Sequence, residues 1–168
     1  MRDDAARAAR LYGGVVLGTL TFDQLCKRAV ERRMKVGARL PMPGVRTDRL
    51  ALQHIKNRGF ALGKGREHPA LIEGASVAAT ALAGAGLAAA LARGDNALTK
   101  MGLALSLGGG LSNTADRVLL HEVTDYLAVR HRGDFHVVYN FADLFLMAGT
   151  ACLVAGSLAG RSIHKEEA

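Results

Sequence analysis

Two Asn-x-x-Asp motifs are the residues of this sequence best suited to chemistry, because each places an amide and a carboxylate on one face of a helix. The first motif contains Asn113 and Asp116, and the second contains Asn140 and Asp143. If the two aspartates meet, like charges a few ångströms apart cannot both ionise, so the pair shares one proton. The ionised member then takes a proton from water while the protonated member polarises a carbonyl. The motifs therefore predict acid–base hydrolysis by Asp116 and Asp143.

Structural interpretations compete with this chemistry. Asn140 followed by an acid at the third helical position is also the pattern of a helix cap, with Asp143 completing it. That interpretation leaves Asp116 unexplained, because it lies near the C-terminal end of a predicted helix, where the helix dipole disfavours a carboxylate. Ser112 and Lys27 are a second candidate pair for peptide hydrolysis, although a packing residue and a surface charge are the simpler interpretation.

Metal and disulfide chemistry are not predicted. The 6 histidines show neither an H-E-x-x-H motif nor a Cys–His ligand spacing. Two cysteines, Cys26 and Cys152, are too few for a disulfide scaffold or a four-cysteine zinc site.

Apolar segments must position these residues. Residues 74–92 carry no charge over 19 positions, close to the roughly 20 residues that a helix needs to cross the hydrocarbon core. Residues 144–160 form a second uncharged run, and residues 11–22 and 101–112 are weaker candidates that run into polar residues. A soluble bundle of Ala-rich helices is the alternative. We predict an α-helical integral membrane protein of one domain over residues 1–168, with four transmembrane helices near residues 9–29, 71–92, 97–120 and 141–160.

Short strands are predicted in the two long extramembrane segments, 31–69 and 121–140. In the second segment, T-D-Y-L-A-V and F-H-V-V-Y flank the glycine-containing turn R-H-R-G-D, which is the pattern of a hairpin. Residues 50–63 can supply another strand, so we expect a small β-rich extramembrane cap. Four spans put both termini on one side of the membrane. The same parity brings the following residues towards the opposite face: Asp23, Lys27, Asn57, Asp116 and Asp143.

Basic residues are concentrated between the first two predicted spans. The net charge is +7, and segment 31–69 alone contains 10 lysines and arginines. Such a segment beside a membrane suits the phosphates of lipids, whereas no aromatic-interleaved motif predicts nucleic-acid binding. The positive-inside rule would place this segment, and with it the face that carries the aspartates, in the cytoplasm.

Four motifs, taken in order, resemble those of the lipoprotein signal peptidase (signal peptidase II) family of bacterial membrane aspartyl peptidases. The run from Asp23 to Lys27 is similar to the family's D-Q-x-x-K, and residues 57–61 (N-R-G-F-A) are similar to N-x-G-x-A. Residues 112–117 are similar to G-N-x-x-D-R, with Ser in place of Gly, and residues 139–143 to F-N-x-A-D, with Tyr in place of Phe. The resemblance covers nearly the whole chain, although segment 31–70 is longer and more basic than the family pattern.

The resemblance implies that Asp116 and Asp143 are the catalytic dyad of an intramembrane aspartic endopeptidase. The implied substrate is a prolipoprotein, cleaved before the cysteine that carries a diacylglyceryl group. The resemblance implies neither a metal nor an organic cofactor. The other expected partners are membrane lipids, from the basic segment, and not nucleic acid. The positions that it implies for substrate binding or support are Asn57, Gly59, Asn113, Arg117, Asn140, Asp23 and Lys27.

The resemblance also implies a multi-pass protein of the bacterial cytoplasmic (inner) membrane, with the active site near the outer face. This orientation is the opposite of the one that the charge rule predicts. We adopt it because the reaction follows export of the substrate. Two other classes of function stay open: a non-catalytic membrane scaffold of the same fold, and a small transporter that uses the two aspartates as a proton relay. A transporter would more often show an internal repeat.

Overall fold

The computed structural model describes residues 2–42, 44–45, 47, 49–59, 65–130 and 136–166, without the side chains of residues 2, 136 and 160–166. Four helices carry most of the chain: α1 (Arg2–Arg33), α2 (Pro69–Arg93), α3 (Ala97–Leu120) and α4 (Phe141–Glu166). Four strands complete it: β1 (Arg39–Pro41), β2 (Leu50–Asn57), β3 (Val123–Arg130) and β4 (His136–Tyr139). The predicted combination of helices with a small sheet is confirmed.

A tight turn joins α2 to α3, as the charged residues between the two apolar runs predict. Gly94 ends α2 in the left-handed conformation, with φ 72°, and its N–H bonds back to the carbonyls of Ala90 and Leu91. A residue without a Cβ adopts this φ at no steric cost, which is why helices so often end there. Asn96 then caps α3, since its side-chain oxygen accepts a hydrogen bond from the N–H of Thr99.

Helix α3 lies at the centre of the bundle and packs against α1, α2 and α4. Its glycines let the neighbouring backbones come close. A Cβ on Gly102 would stand 2.7 Å from the carbonyl oxygen of Gly149, and one on Gly109 would stand 2.6 Å from that of Ala142. The Gly108–Gly110 run likewise lies where neighbouring helices come close, and it forms part of a helix-packing surface.

Two helices in the described chain are long and apolar enough to cross a membrane: Pro69–Arg93 and, within α4, Phe141–Ala159. Only 17% of the apolar window of each is buried inside the fold, so most of these apolar side chains face outward. The other two predicted spans are not confirmed, because α1 and α3 do not meet this criterion in the described chain. Both helices contain buried ionisable residues, such as Lys27 and Asp116.

The sheet has the order β1-β2-β3-β4, with every neighbouring pair antiparallel. The predicted strands within residues 50–63 and on both sides of the R-H-R-G-D turn are confirmed as β2, β3 and β4. The turn itself, residues 131–134, lies outside the described residues.

One face of the sheet rests on the end of α1, where Val30, Met34 and Tyr126 form a buried apolar cluster. The register between β2 and β3 shifts between Leu52 and Ile55. Beyond that shift Asn57 lies opposite Val123, two positions from Asp125 on the same strand. The sheet thus brings two polar side chains of the cap to the level where α4 begins.

Candidate active site

Asp143 lies in the first turn of α4, where it completes the cap that the sequence predicts as its structural role. Its N–H donates to Asn140 Oδ1 over 2.9 Å, and its own Oδ2 accepts from the backbone N–H of Asn140 over 3.1 Å. This reciprocal pair is a capping box. The donors and the helix N-terminus together stabilise a negative charge on Asp143.

Asp125, in the middle of β3, is the second carboxylate at this point. It is buried, with 5% of its surface exposed. Its Oδ2 accepts a hydrogen bond from Asn57 Nδ2 at 2.9 Å, and its Oδ1 accepts one from Asn140 Nδ2 at 2.8 Å. Asn140 therefore contacts both carboxylates, Asp125 through its side chain and Asp143 through its backbone.

A cavity of about 280 Å³ lies between the sheet and the helix ends, and both carboxylates line it. Its wall is otherwise a mixture of polar and apolar side chains, Asn57, Asn113, Arg117, Val123, Val137, Val138, Tyr139, Leu146 and Met147. A second cavity, also of about 280 Å³, runs from Asp143 between α2, α3 and α4 along small residues such as Ala79 and Gly110. Asp143 thus stands where a groove between helices meets the cavity under the sheet.

The pKa of Asp125 is raised to about 7, first by burial of the carboxyl and then by the negative charge of Asp143. Hydrogen bonds from Asn57 and Asn140 act in the opposite direction. Near neutral pH the Asp125 carboxyl is therefore protonated for part of the time. This is the electrostatic state that acid–base hydrolysis requires.

Asn113 and Arg117 come to this site from α3. Asn113 Nδ2 donates to Asp143 Oδ1 at 2.9 Å, which occupies the oxygen that the cap leaves free. Arg117 Nη2 donates to the carbonyl oxygen of Gly59 at 3.3 Å. Within the described part of the chain its buried Nε has no hydrogen-bond partner. The guanidinium therefore borders the cavity as a positive charge with donor capacity to spare.

Asp116 does not join Asp143 in either cavity, which differs from the predicted pairing. Its Oδ2 forms an ion pair with Lys27 Nζ at 2.8 Å, and its Oδ1 accepts from Gln24 Nε2 at 2.8 Å. Lys27 also pairs with Asp23 at 2.8 Å, four residues earlier on α1, as the spacing predicts. The physical reason for the difference is the buried ammonium, which needs carboxylates around it and takes Asp116 for that purpose.

Ser112 and Lys27 lie close together, but their other contacts do not suit attack on a substrate. Lys27 Nζ lies 3.3 Å from Ser112 Oγ, and both residues are buried. Lys27 Nζ forms ion pairs with Asp23 and Asp116 at 2.8 Å and donates a hydrogen bond to Asn113 Oδ1 at 2.8 Å. Ser112 in turn donates its proton to Asp23 Oδ2 at 2.6 Å. Neither group lines the cavities that contain Asp143, so the pair belongs to the structural network.

The sequence matches a known family over most of its length. The model of the signal peptidase (SPase) II family aligns with residues 15–159. The chain belongs to the signal peptidase II family. The family is one of peptidases, so the prediction of a protease is confirmed. The resemblance to this family that the four motifs indicate is confirmed as well.

Relatives and solved structures agree with the family. The lipoprotein signal peptidase of Methylobacterium sp. (strain 4-46) is 32% identical over 136 residues, which covers 81% of each chain. That of Geobacter sulfurreducens is 31% identical over 148 residues, covering 86% of this chain and 89% of the relative. A bacterial membrane enzyme solved at 2.3 Å superposes with a TM-score of 0.77 at 21% identity and covers 90% of each chain. A second, solved at 1.9 Å, gives 0.71 at 22% identity, covering 88% of this chain and 92% of its own. These superpositions establish the fold of this signal peptidase II family member.

Of the predicted site residues of this family member, the structure gathers Asn57, Asn113, Arg117 and Asp143 around one cavity, with Gly59 and Asn140 bonded to them. Asp23, Lys27 and Asp116 form a buried network beside this cavity. Asn113 joins the two, because it accepts from Lys27 Nζ and donates to Asp143. Phe60 and Ala61, of the N-x-G-x-A element, lie outside the described residues.

Sequence reasoning missed Asp125. A signal for it existed, because Asp125 is the one acid within the apolar strand pattern V-T-D-Y-L-A-V, and an acid at such a position needs buried partners. Asp125 was missed because it lies outside both Asn-x-x-Asp motifs.

Proposed function

We propose that this protein is an aspartic endopeptidase that removes the signal peptide from prolipoproteins by cleaving before the diacylglyceryl-modified cysteine, with Asp125 and Asp143 as its dyad. The substrate class follows from the family and from the name that its relatives carry, lipoprotein signal peptidase. The geometry of the site supports Asp125, in place of Asp116, as the second aspartate of the dyad.

One observation carries this assignment: Asp125 and Asp143 line a single cavity and are both held by Asn140. Asp116, by contrast, directs its two oxygens to Lys27 and Gln24. Asp116 is thus held against the buried ammonium of Lys27 and lines neither of the two cavities that Asp143 borders. The cavity, rather than the motif spacing, therefore supports the choice of the second aspartate.

In the proposed chemical step, Asp143 acts as the base and Asp125 as the acid. Ionised Asp143 takes a proton from a water molecule, whose oxygen attacks the peptide carbonyl carbon. Protonated Asp125 donates its proton to the carbonyl oxygen as the tetrahedral intermediate forms. Collapse of that intermediate breaks the C–N bond, and the proton on Asp143 passes to the leaving amine. One hydroxyl group of the intermediate becomes the carbonyl of the product and returns its proton to Asp125. Asp125 is then protonated and Asp143 ionised, as at the start.

The neighbouring groups have distinct proposed roles. Asn57 and Asn140 orient Asp125, and Asn113 orients Asp143, because each donates directly to the carboxylate concerned. Arg117 has an unused donor at the cavity and is suited to a carbonyl or phosphate oxygen of the substrate. The groove lined by Ala79 and Gly110 has a volume of about 280 Å³, which can hold part of the apolar segment of a signal peptide.

The proposed setting is the bacterial inner membrane, with all four helices crossing it and the sheet on the outer side. The outward-facing apolar residues of α2 and α4 support a bilayer around the bundle. In this arrangement the ionisable residues of α1 and α3 face the bundle interior, where they pair with one another. The site then lies at the depth where a lipid-anchored cysteine enters the hydrocarbon region.

The test is incubation of the purified protein in detergent with a lipidated prolipoprotein, followed by mass measurement of the products. Asp125→Asn and Asp143→Asn should each abolish cleavage while the melting temperature shows a folded protein. Asp95→Asn is the matched control, because this aspartate lies in the α2–α3 turn at the far end of the bundle. Substantial cleavage by the Asp125→Asn variant would return the dyad to Asp116. An inactive parent protein would favour the scaffold or the transporter instead.

A further inference from the structure

The end of α1 and the chain that follows it carry a surface that the peptide chemistry does not use. We call it the basic edge and define it by five exposed basic residues and three exposed apolar ones: Arg28, Arg32, Arg33, Lys35, Arg49, Val36, Leu40 and Val45. The residues from 28 to 40 are continuous in the chain. Hydrogen bonds from Gly37 to His54 and from His54 to Ala38 tie this stretch to β2, so the surface has a defined shape.

The exposed face of α1 changes in character along the helix axis. Phe22 and Leu25 are 48% and 64% exposed, and they are followed on the same face, at helical spacings of three and four, by Ala29, Arg32 and Arg33. An apolar stripe that ends in arginines matches the boundary between hydrocarbon and headgroups, since arginine lays its stem on apolar surface and its charge in the polar layer.

The charges of the basic edge are not offset by ion pairs of the protein. Within the described part of the chain, Arg28, Arg32, Arg33 and Lys35 form no ion pair. The nearest acid in sequence, Glu31, is bonded to Lys56 at 2.7 Å.

The opposite end of the bundle differs. Arg93 pairs there with Asp95 at 2.7 Å, and Lys100 lies over the ring of Tyr12 at 5.7 Å. At that end, two of the described cations thus have partners that offset or cover their charge.

Apolar residues lie within the same surface. Val36 and Leu40 are 63% and 50% exposed, and Leu40 belongs to β1, the edge strand of the sheet. An exposed apolar edge strand is normally a hazard in water. Its place beside four unpaired cations instead matches the composition of surfaces that lie in a membrane interface, where apolar side chains enter the acyl boundary and basic ones meet phosphates.

We propose that the basic edge binds the headgroups of anionic phospholipids, with Val36 and Leu40 entering the bilayer surface beneath them. This contact fixes the depth and tilt of the sheet over the membrane, and so the height at which the cavity of Asp125 and Asp143 stands. The proposal rests on the membrane setting of the proposed function but not on its chemistry. It also gives the basic segment a role on the side where the positive-inside rule does not expect it.

The test measures lipid binding and not peptidase activity, so that the two proposals fail separately. The full-length protein in a non-ionic detergent is titrated with short-chain phosphatidylglycerol, and in parallel with phosphatidylcholine of the same chain length. Native mass spectrometry counts the bound lipids. We expect tighter binding of phosphatidylglycerol, reduced at least roughly fivefold in Arg32→Gln/Arg33→Gln/Lys35→Gln. Fivefold corresponds to about 1 kcal/mol, the attraction to anionic lipid that a single basic residue adds at a membrane surface.

Two controls separate a headgroup site from general charge. Arg7→Gln/Arg10→Gln removes exposed charge from the other end of α1 and should leave phosphatidylglycerol binding unchanged. Arg32→Lys/Arg33→Lys keeps the charge and should retain most of it. Equal affinity for the two lipids, or an equal loss of binding in the Arg7/Arg10 variant, would overturn the proposal. So would phosphatidylglycerol binding by the triple variant at parental strength.

Discussion

The side chain of Asn140 donates a hydrogen bond to Asp125 across 2.8 Å, and this contact joins the cap to the membrane helices at the site. The same residue donates its backbone N–H to Asp143 and accepts the N–H of Asp143 in return. One asparagine therefore starts α4 and sets the spacing between two carboxylates that come from different elements.

Substitutions at Asn140 should separate these two duties. Asn140→Ser keeps a good N-cap oxygen but is too short to donate to Asp125. We expect it to fold nearly as well as the parent and to lose most of its turnover. Asn140→Ala should lose both the cap, about 1 kcal/mol of stability, and the turnover. The measurements are cleavage of lipidated substrate at matched folded concentration and a thermal melt. Parental turnover in the serine variant would show that the contact with Asp125 does not matter.

Asp116→Asn should affect the fold more than the chemistry. The change removes a carboxylate from Lys27 but leaves Asp23 as a counter-charge, so we expect a loss of about 2 kcal/mol, the value of a hydrogen bond to a charged group. Asp23→Ala should lower the amount of folded protein further, because Asp23 also accepts hydrogen bonds from the buried hydroxyls of Ser112 and Tyr126. Turnover per folded molecule should stay within a few-fold of the parent in Asp116→Asn. Complete loss of turnover in a well-folded variant would place Asp116 in the active site after all.

Ser112 occupies a position where the family pattern has glycine, and here its hydroxyl takes part in the buried network. It donates to Asp23 at 2.6 Å and accepts from Gln24 at 3.2 Å. Ser112→Ala should therefore cost about 1–2 kcal/mol of unfolding free energy. Ser112→Gly should cost about 1 kcal/mol more, because glycine is a poorer helix former. Chemical denaturation in detergent measures both. An alanine variant as stable as the parent would mean that the hydroxyl adds nothing to the ion pairs.

The pH dependence of the enzyme should follow the proton on Asp125. Its pKa is raised to about 7 by burial and by the charge of Asp143, so the protonated acid is present below neutral pH and lost above it. We expect kcat/KM for cleavage to fall as the pH rises through 7. A kcat/KM that stays constant from pH 6 to pH 9 would argue against Asp125 as the acid.

The same group should influence stability, with a sign that can be checked. A carboxyl whose pKa rises on folding contributes stability that is fully present below its unfolded pKa, about 3.9, and that is lost as the pH rises through about 7. Asp125→Asn removes this penalty. The variant should therefore gain in melting temperature relative to the parent at pH 8 but not at pH 4. Melts at both pH values measure this difference, and a gain of the same size at pH 4 would point to another cause.

Reporter fusions test the proposed orientation. A fusion after Ala168 and one within Arg93–Asn96 should both report the cytoplasm, and a fusion near Arg46 should report the exterior. The reason is that four crossings put both termini and the α2–α3 turn on one side. If every reporter gives the reverse result, the charge rule is right about orientation while the four crossings stand. A cytoplasmic signal from all three fusions would exclude four crossings.

The sequence by itself determined the family, the helices and most strands of this protein. Uncharged runs and the strand patterns around the R-H-R-G-D turn are local signals, because a helix or a turn depends on residues within a few positions of one another. The same is true of the pair between Asp23 and Lys27, which lie four residues apart on one helix. The cap formed by Asn140 and Asp143 was visible for that reason too.

Only the tertiary structure decided which aspartate faces Asp143. Asp116 and Asp125 stand nine residues apart in the sequence, but the chain between them ends a helix and enters a strand, and this reversal separates their side chains. Asp116 remains in the bundle beside Lys27, a partner 89 positions away in the sequence. Asp125 reaches the cavity because β3 pairs with β2 and rests on α1. The spacing of the motifs predicts neither the pairing of Asp116 with Lys27 nor the place of Asp125 at the cavity. The partners of a buried charge are the groups close to it in space, which can be distant in the sequence.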